Sequence, residues 1–342
     1  MKLTARNKLI VAITIALLLI SFILGLAMGG VPIAFSDTLS ALIGSASTPR
    51  IDLVIEQIRL PRALLAAMVG ALLGICGAAT QGLFRNPLAD PSLIGVTAGA
   101  AAGAAATIFF ASSLSVLAGL SGIALVSAGA FIGGSVSVIL VYLLATNQQG
   151  TSVATMLLAG IAITAIAGGL TNIVEFFADN EMLRRISIWR MGGLDGASTN
   201  RLVIAIAASL IVLTFLPRYS AALNALLLGE SEARHLGFTV QTIKIQLIAL
   251  VALGVGTSVA LAGTISFVGL VIPHIMRLLI GPDHRLLLPL SALGGAILLL
   301  LSDVVARTII APIELPVGLV TALLGAPFFI SLLRRRHEFA MQ

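Results

Sequence analysis

Residues 91–174 read PSLIGVTAGAAAGAAATIFFASSLSVLAGLSGIALVSAGAFIGGSVSVILVYLLATNQQGTSVATMLLAGIAITAIAGGLTNIV, which is 84 consecutive residues without an aspartate, glutamate, lysine or arginine. A membrane-spanning helix needs about 20 mostly apolar residues, so this stretch has room for three crossings. Because lipid offers no water, every backbone amide there must be paired within the chain, which favours helices. A transmembrane barrel would show segments of about ten residues with alternating polarity, and we find none. We therefore expect an all-α membrane protein.

Shorter charge-free runs flank this stretch on both sides and raise the expected total to between nine and eleven spans: 9–36, 63–84, 202–217, 245–276, 286–302 and 315–333. Hydrophobic residues make up 58% of the 342-residue chain, charged residues only 10%, and the mean hydropathy is +1.11. A soluble domain usually carries about a quarter charged residues. The pI is near 10.4, but the basic residues form short scattered clusters rather than one charged face. The composition excludes a soluble enzyme, a disordered chain and a nucleic-acid-binding protein.

The two ends of the chain indicate its topology. Lys2, Arg6 and Lys8 precede the first apolar run, which has 20 residues and is longer than a signal-peptide core. We interpret it as an uncleaved first span whose basic start stays in the cytoplasm. Three arginines at 334–336 close the last run, so the C-terminus is expected in the cytoplasm too. Because two ends on one side require an even number of spans, we predict ten.

The ten predicted spans form a single transmembrane domain, residues 1–342, and lie near 9–29, 61–80, 93–111, 116–144, 152–177, 202–216, 245–264, 266–280, 286–304 and 315–333. The outer loop between the first two spans is expected to hold Asp37, Arg50, Asp52, Glu56 and Arg59.

Glycine stripes mark one face of the second and third spans, at Gly70, Gly74, Gly77, Gly95, Gly99 and Gly103. Small residues at this spacing let helix backbones approach closely in a membrane, so they predict a tightly packed bundle.

A polar segment, residues 217–242, lies between the sixth and seventh spans and contains LNALLLGESEARHLGFTV. Residues 225–228 and 231–236 predict two short helices, ended by Gly229 and Gly237 respectively. Two short helices facing the cytosol would form a rigid surface on which a partner could dock. An ordinary solvated loop is the alternative.

Two prolines four residues apart, Pro87 and Pro91, prevent a continuous helix between the second and third spans. Irregular backbone at membrane depth is tolerated where it is buried or lines a cavity, so this segment is either a gate or a plain cytoplasmic turn. Arg59 and Arg62 stand at the outer mouth of the second span. Asp303 and Arg307 stand one helical turn apart at the outer end of the ninth span, so these two side chains can also simply pair with each other.

Four blocks of the sequence resemble the FecCD family, the permease subunits of type II ABC importers for iron–siderophore complexes, haem and vitamin B12. They are RLPRALLAAMVGALLGICGAATQGLFRNPLADPSLIG (59–95), LLLGESEARHLG (226–237), SVALAGTISFVGLVIPHIMRLLIGPDHRLLLP (258–289) and ELPVGLVTALLGAPFFISLL (314–333). Their order and spacing cover the chain from about residue 50 to 335. The resemblance implies ten helices per subunit and a second permease subunit, here expected to be an identical copy, in the bacterial inner membrane.

The resemblance also implies partners and site residues. Two cytoplasmic ATPases are expected to bind segment 217–242, where Gly229, Glu230, Arg234 and Gly237 match the coupling motif. A periplasmic binding protein is expected to deliver the ligand by pairing its glutamates with Arg59, Arg62 and Arg307. The cytoplasmic gate is expected to contain Asn86, Leu88, Thr151 and Ser152.

The energy source is expected in a partner. A phosphate-binding loop would read G-x-x-x-x-G-K-S/T, and none of the three lysines (Lys2, Lys8 and Lys244) follows a glycine. We therefore expect no catalytic residue, metal or cofactor in this chain, with ATP and Mg bound by the ATPase. An ion-coupled carrier is the alternative, but it would place acidic or histidine residues in mid-membrane. Among cargoes, the 81–91 block is most similar to haem-type members, so haem is favoured, then a ferric siderophore, with vitamin B12 as the alternative.

Overall fold

A computed structural model describes residues 4–30, 33–42, 48–110, 122–148 and 150–340. The helices are α1 (Ala5–Ala27), α2 (Phe35–Leu42), α3 (Pro49–Leu53), α4 (Leu60–Leu83), α5 (Val96–Phe110), α6 (Gly122–Ala145), α7 (Val153–Phe177), α8 (Asn180–Met191), α9 (Thr199–Phe215), α10 (Ser220–Leu228), α11 (Glu230–His235), α12 (Val240–Ala262), α13 (Val268–Ile280), α14 (His284–Thr308) and α15 (Val317–Ala340). Two short strands, β1 (Thr146–Asn147) and β2 (Gly150–Thr151), pair antiparallel in a hairpin.

The apolar runs form helices, as expected. Seven segments among the described residues are long and apolar enough to cross a membrane: Ala5–Ala27, Pro49–Leu83, Gly122–Ala145, Val153–Phe177, Thr199–Leu228, Val240–Ala262 and His284–Thr308. Three shorter apolar helices complete the set, at Val96–Phe110, Val268–Ile280 and Val317–Ser331. Each of the ten predicted spans therefore corresponds to one of these helices, and the all-α prediction is confirmed.

The helices run alternately between two ends of the bundle. We call one the arginine end, after Arg59, Arg62 and Arg307, and the other the hairpin end, after strands β1 and β2. Helix α1 begins at the hairpin end, where Arg6 donates a hydrogen bond to the Leu279 carbonyl at the end of α13. Helix α15 begins at the arginine end, three residues after Glu314, and runs back toward the hairpin end, so the directions of the first and last described helices agree with an even number of spans.

Helix α4 lies at the centre of the bundle and packs against α14, α13, α12 and α9. It approaches α14 closely enough that a Cβ atom on Gly70 or Gly74 would overlap the backbone carbonyl of Gly295 or Ser291. Helices α5 and α6 meet in the same way, with Gly103 against Gly129. The glycine stripes therefore pack helix against helix, as small residues do where lipid gives no hydrophobic drive to association.

The expected outer loop before the second span is largely helical instead. Helices α2 and α3 occupy most of it, and α3 continues without a break into α4 through a π-helical turn, Val54–Arg59. Pro61 explains this wide turn, because proline lacks an amide hydrogen and its ring crowds the preceding turn of an α-helix. In the wide turn, the Leu60 amide donates to the Ile55 carbonyl, five residues back. The prediction of a loop at Arg59 was therefore wrong.

Candidate functional site

The polar segment 217–242 forms two short helices at the hairpin end. Helix α10 ends at Leu228, α11 spans Glu230–His235, and Gly229 between them has φ +125°. Gly237 follows α11 with φ +88°, a conformation that glycine adopts without steric cost. The predicted pair of helices ended by glycines is thus confirmed, with α10 starting five residues earlier than expected, at Ser220.

These two helices have an apolar core of their own, separate from the main one. Ala225, Leu226, Ala233 and Val240 are buried together, and Phe238 packs against them. The cluster joins α10 and α11 to the first turn of α12. The segment is consequently a compact folded unit and not a solvated loop.

Asn224 attaches α10 to the turn between α13 and α14. Its Nδ2 donates to Asp283 Oδ1 at 2.6 Å, and its Oδ1 accepts from the His284 backbone amide at 2.9 Å. Burial alone would raise the pKa of the Asp283 carboxyl. Hydrogen bonds from the Arg285 backbone amide and the Asn224 amide, together with the neighbouring charges of Arg285 and His284, outweigh it and hold that pKa below its usual range.

Lys244 attaches α11 to the hairpin. The side chain is 1% exposed, and its Nζ lies 2.7 Å from Glu230 Oε1 and donates to the Thr151 carbonyl at 2.7 Å. Gln241, one turn earlier on α12, accepts from the Thr151 backbone amide at 2.9 Å. Both backbone polar groups of Thr151 are therefore bonded to α12, and Lys244 also bonds to α11.

The predicted gate residues lie at this same end. Thr151 is buried and its hydroxyl is 3.0 Å from the Thr146 hydroxyl across the hairpin. Ser152 is exposed, and its hydroxyl accepts from the Thr155 amide at the start of α7. The structure thus buries Thr151 in the hairpin and places Ser152 at the N-cap of α7, a long apolar helix.

The other predicted gate residues, Asn86 and Leu88, lie in an irregular segment after α4. Asn86 is exposed, and its Oδ1 accepts from the Leu88 amide at 2.9 Å. The chain then forms a 3-10 turn, Pro91–Ile94, whose Leu93 carbonyl lies directly against Gly160 of α7. The expectation that the prolines interrupt the helix is confirmed. The irregular segment packs against α7, the helix that follows the hairpin.

At the arginine end, Asp303 bridges two of the predicted docking arginines. Its Oδ1 lies 2.9 Å from Arg62 Nε, and its Oδ2 lies 2.9 Å from Arg307 Nε. Arg62 also pairs with Glu314 at 2.6 Å. Asp303 and both arginines are buried, whereas the Glu314 side chain is 42% exposed. The Asp303–Arg307 pair considered from the sequence forms, but within a larger network.

Arg59 and Arg307 cap the C-terminal end of helix α1. Arg59 donates to the Leu26 and Ala27 carbonyls at 2.8 and 2.7 Å, and Arg307 donates to the Gly25 and Met28 carbonyls at 2.9 and 3.0 Å. The last carbonyls of a helix have no partner within it, and the C-terminal end of its dipole favours cations. Two arginines from other helices thus satisfy this helix end.

A cavity of about 450 Å³ opens at the arginine end, between α8 and the ends of α5, α6 and α12. Arg62, Glu314, Arg201 and Trp189 are among its lining residues. Of the three predicted docking arginines, Arg62 is the one that borders this cavity.

Within the described part of the chain, no group of three or more histidine, cysteine, aspartate or glutamate side chains could hold a metal ion. His274, which follows Pro273 in α13, lies with its ring centroid 6.4 Å from that of Phe328.

The sequence argument missed Lys244, Gln241 and Asn224. A signal for Lys244 was present, since a lysine near the start of an apolar helix needs a partner if it is buried. Its partners, Glu230 and Thr151, lie 14 and 93 residues away in sequence, the second at the start of another helix. Spacing along the chain does not reveal such pairs.

Comparison with known proteins agrees with this architecture. The chain is 46% identical over 286 residues to the hemin transport system permease protein HmuU of Yersinia pestis, covering 82% of this chain and 83% of that protein. It is 44% identical over 292 residues to the vitamin B12 import system permease protein BtuC of Escherichia coli, covering 85% and 86%. Among solved structures, an inward-facing one assigned to the metal-chelate type of ABC transporter matches with a TM-score of 0.84 and 32% identity, covering 96% of this chain and 99% of that one. The FecCD transport family matches residues 17–335, and the chain belongs to that family.

Proposed function

We propose that this chain is the membrane-embedded permease subunit of an ATP-driven importer, and that it moves an iron chelate, with haem favoured, into the cytoplasm. The observation that carries the proposal is the bonding between the segment 217–242 and the hairpin. Lys244 joins Glu230 of α11 to Thr151, so a movement of the short helices is passed directly to a predicted gate residue. Membership of the FecCD family supports it independently and disfavours the ion-coupled alternative.

The power source in this proposal is a pair of ATPase subunits that bind the segment 217–242 and hold ATP and Mg. The chain has no lysine in a phosphate-binding loop. Helix α11 presents Arg234 and His235 on an exposed surface, and Glu230 at its first position is partly exposed. A compact segment with its own apolar core would transmit a push without being deformed by it.

The proposed docking of a periplasmic binding protein takes place at the arginine end. Arg62 pairs with Glu314, which is partly exposed and lines the same open cavity. A glutamate of the binding protein could take the place of Glu314 at Arg62 with little change of charge. Arg59 and Arg307 would act through their bonds to α1, since both are buried. Charge complementarity of this kind sets the orientation and rate of docking more than its affinity.

The cargo proposal rests on similarity. A relative named for hemin transport is 46% identical, and relatives named for vitamin B12 import are 44% and 43% identical, so vitamin B12 is the second candidate. A ferric siderophore is the alternative iron chelate, since the structural match is to the metal-chelate type.

The proposed assembly contains two copies of this chain in a bacterial inner membrane, with both chain ends in the cytoplasm. Helix α7 exposes large apolar side chains, among them Leu158, Ile161 and Ile173. A second copy packed on α7 would cover part of this surface, and lipid would cover the rest.

Uptake into vesicles that contain this chain and its ATPase, supplied with the binding protein, tests the proposal. Haem, a ferric siderophore and vitamin B12 are compared, and haem is expected to be taken up fastest and only with ATP. Labelling of His235→Cys from either side of the membrane tests the orientation in a Cys76→Ala background. Uptake driven by an ion gradient without the ATPase, or labelling of position 235 from the periplasmic side, would contradict the proposal.

A further inference from the structure

Lys244 is an unusual residue in this chain. It is among the largest side chains that are fully buried, and the other buried residues of its helix carry no charge. A buried ammonium group is costly unless it is paired and hydrogen-bonded. Lys2 and Lys8, the other lysines, lie near the start of the chain, and Lys8 is exposed. The position of Lys244 therefore calls for a reason beyond solubility.

The contacts of Lys244 join three separate elements. The side chain arises from α12, its Nζ lies 2.7 Å from Glu230 at the start of α11, and the same Nζ donates to the Thr151 carbonyl at 2.7 Å. Glu230 is the first residue after Gly229, so its backbone follows directly on the joint between the two short helices. Thr151 ends the hairpin and immediately precedes the N-cap of α7.

A second side chain of α12, Gln241, also holds the hairpin. Gln241 accepts from the Thr151 amide, and a Cβ atom on Gly150 would overlap the Gln241 side chain. Gly150 has φ +111°, so it supplies both the backbone conformation and the close approach. With Lys244 three residues later on the same helix face, α12 holds the hairpin by two side chains.

We propose that Lys244 is a positioning residue that makes α11 and the hairpin move as one body, so that displacement of the short helices displaces Thr151 and the start of α7. The inference rests on the proposed function, in which α11 receives the push of the ATPase and Thr151 belongs to the gate.

The test uses the complete transporter in vesicles and the variant Lys244→Met, which keeps the length of the side chain and removes its charge. Glu230 then remains partly exposed to solvent, so the variant is expected to fold and assemble. Transport per ATP hydrolysed should fall by about tenfold, within the range typical of coupling between distant sites, while ATP hydrolysis continues. Lys8→Met removes an exposed lysine from the same end of the bundle and should leave the ratio unchanged.

A distance measurement separates a positioning role from a purely structural one. Spin labels at His235→Cys and Gln148→Cys, in a Cys76→Ala background, report the separation of α11 and the hairpin by pulsed electron paramagnetic resonance. In the otherwise unchanged protein this separation should be the same with and without ATP. In Lys244→Met it should change or broaden when ATP binds.

The double variant Lys244→Met with Glu230→Gln is the control for a folding defect, because it leaves no buried charge without a partner. It should assemble normally and still be uncoupled. If Lys244→Met and the double variant keep both the transport ratio and the fixed label separation, the positioning role is wrong while the permease function stands. If the unchanged transporter shows no ATP-dependent transport at all, the proposed function fails first.

Discussion

Replacing Asp303 by asparagine tests whether the arginine network holds the fold together. The carboxylate accepts Arg62 Nε on one oxygen and Arg307 Nε on the other, each at 2.9 Å, and it is 1% exposed. Asparagine has nearly the same shape but no charge. The network would change from two arginines paired with two carboxylates to two arginines with one.

The expected loss follows from burial. Removing one partner of a buried ion pair typically costs about 3–5 kcal/mol, because the remaining charge stays desolvated. Here two guanidinium groups lose the same partner. Arg62 retains Glu314, and Arg307 retains its bonds to the carbonyls of α1. We therefore expect a loss of about 3 kcal/mol in the free energy of unfolding, near the lower end of this range.

Glu314→Gln is the matched control. It also removes one carboxylate from Arg62, but the Glu314 side chain is 42% exposed, so solvent screens the pair. Exposed pairs contribute about 0.2–1 kcal/mol. Both variants change one acid to its amide in the same network, so they differ in burial and in the number of arginines that lose a partner.

Cys76 provides the assay. It is the only cysteine of the chain and is fully buried in α4, so a fluorogenic maleimide reacts with it only when the bundle opens. Midpoints of unfolding are compared for the unchanged protein and both variants in one detergent. If Asp303→Asn lowers the midpoint no more than Glu314→Gln does, Asp303 stabilises the fold no more than Glu314 does, and the reasoning from burial is wrong.

Three further outcomes are expected. Gly74→Leu should lower the same unfolding midpoint by an amount equivalent to about 3 kcal/mol, because its side chain would force α4 away from α14, whereas Gly169→Leu, with open space around it, should be nearly neutral. Gly237→Val should reduce transport per ATP hydrolysed without preventing assembly, because a β-branched residue is strained at φ +88°; unchanged coupling would remove Gly237 from the coupling role. Arg59→Glu with Arg62→Glu should weaken binding of the periplasmic protein in a pull-down assay, and undiminished affinity in a variant that is still folded would exclude these residues from docking.

Much of the fold could be predicted from the sequence because lipid leaves few choices. An apolar run of about 20 residues must be a helix there, so the ten spans were found despite errors at their boundaries. Gly229 and Gly237 likewise mark the ends of the short helices by a local conformational requirement. The prediction fails at Arg59, where the charge indicates a loop but the chain is helical. A charged residue is compatible with a helix when other helices supply its partners.

The contacts of the site could not be predicted, because they join residues that are far apart in sequence. Arg62 and Asp303 are 241 residues apart, and Lys244 and Thr151 are 93 apart. Which charges meet depends on how whole helices are arranged, and no local pattern determines that arrangement. The sequence could name Thr151 through its family resemblance, but it could not show that a lysine holds it.

The π-helical turn at Val54–Arg59 affects where the central helix can lose or gain a residue. An α-helix advances about 100° per residue, so losing one codon in the middle of a buried helix turns everything on one side of the loss to face the wrong neighbours. The wide turn already contains one residue more than an α-helix needs. A single deletion there would tighten it into an ordinary turn and leave both flanks in register. In this central helix, insertions and deletions between relatives should therefore concentrate within these six positions.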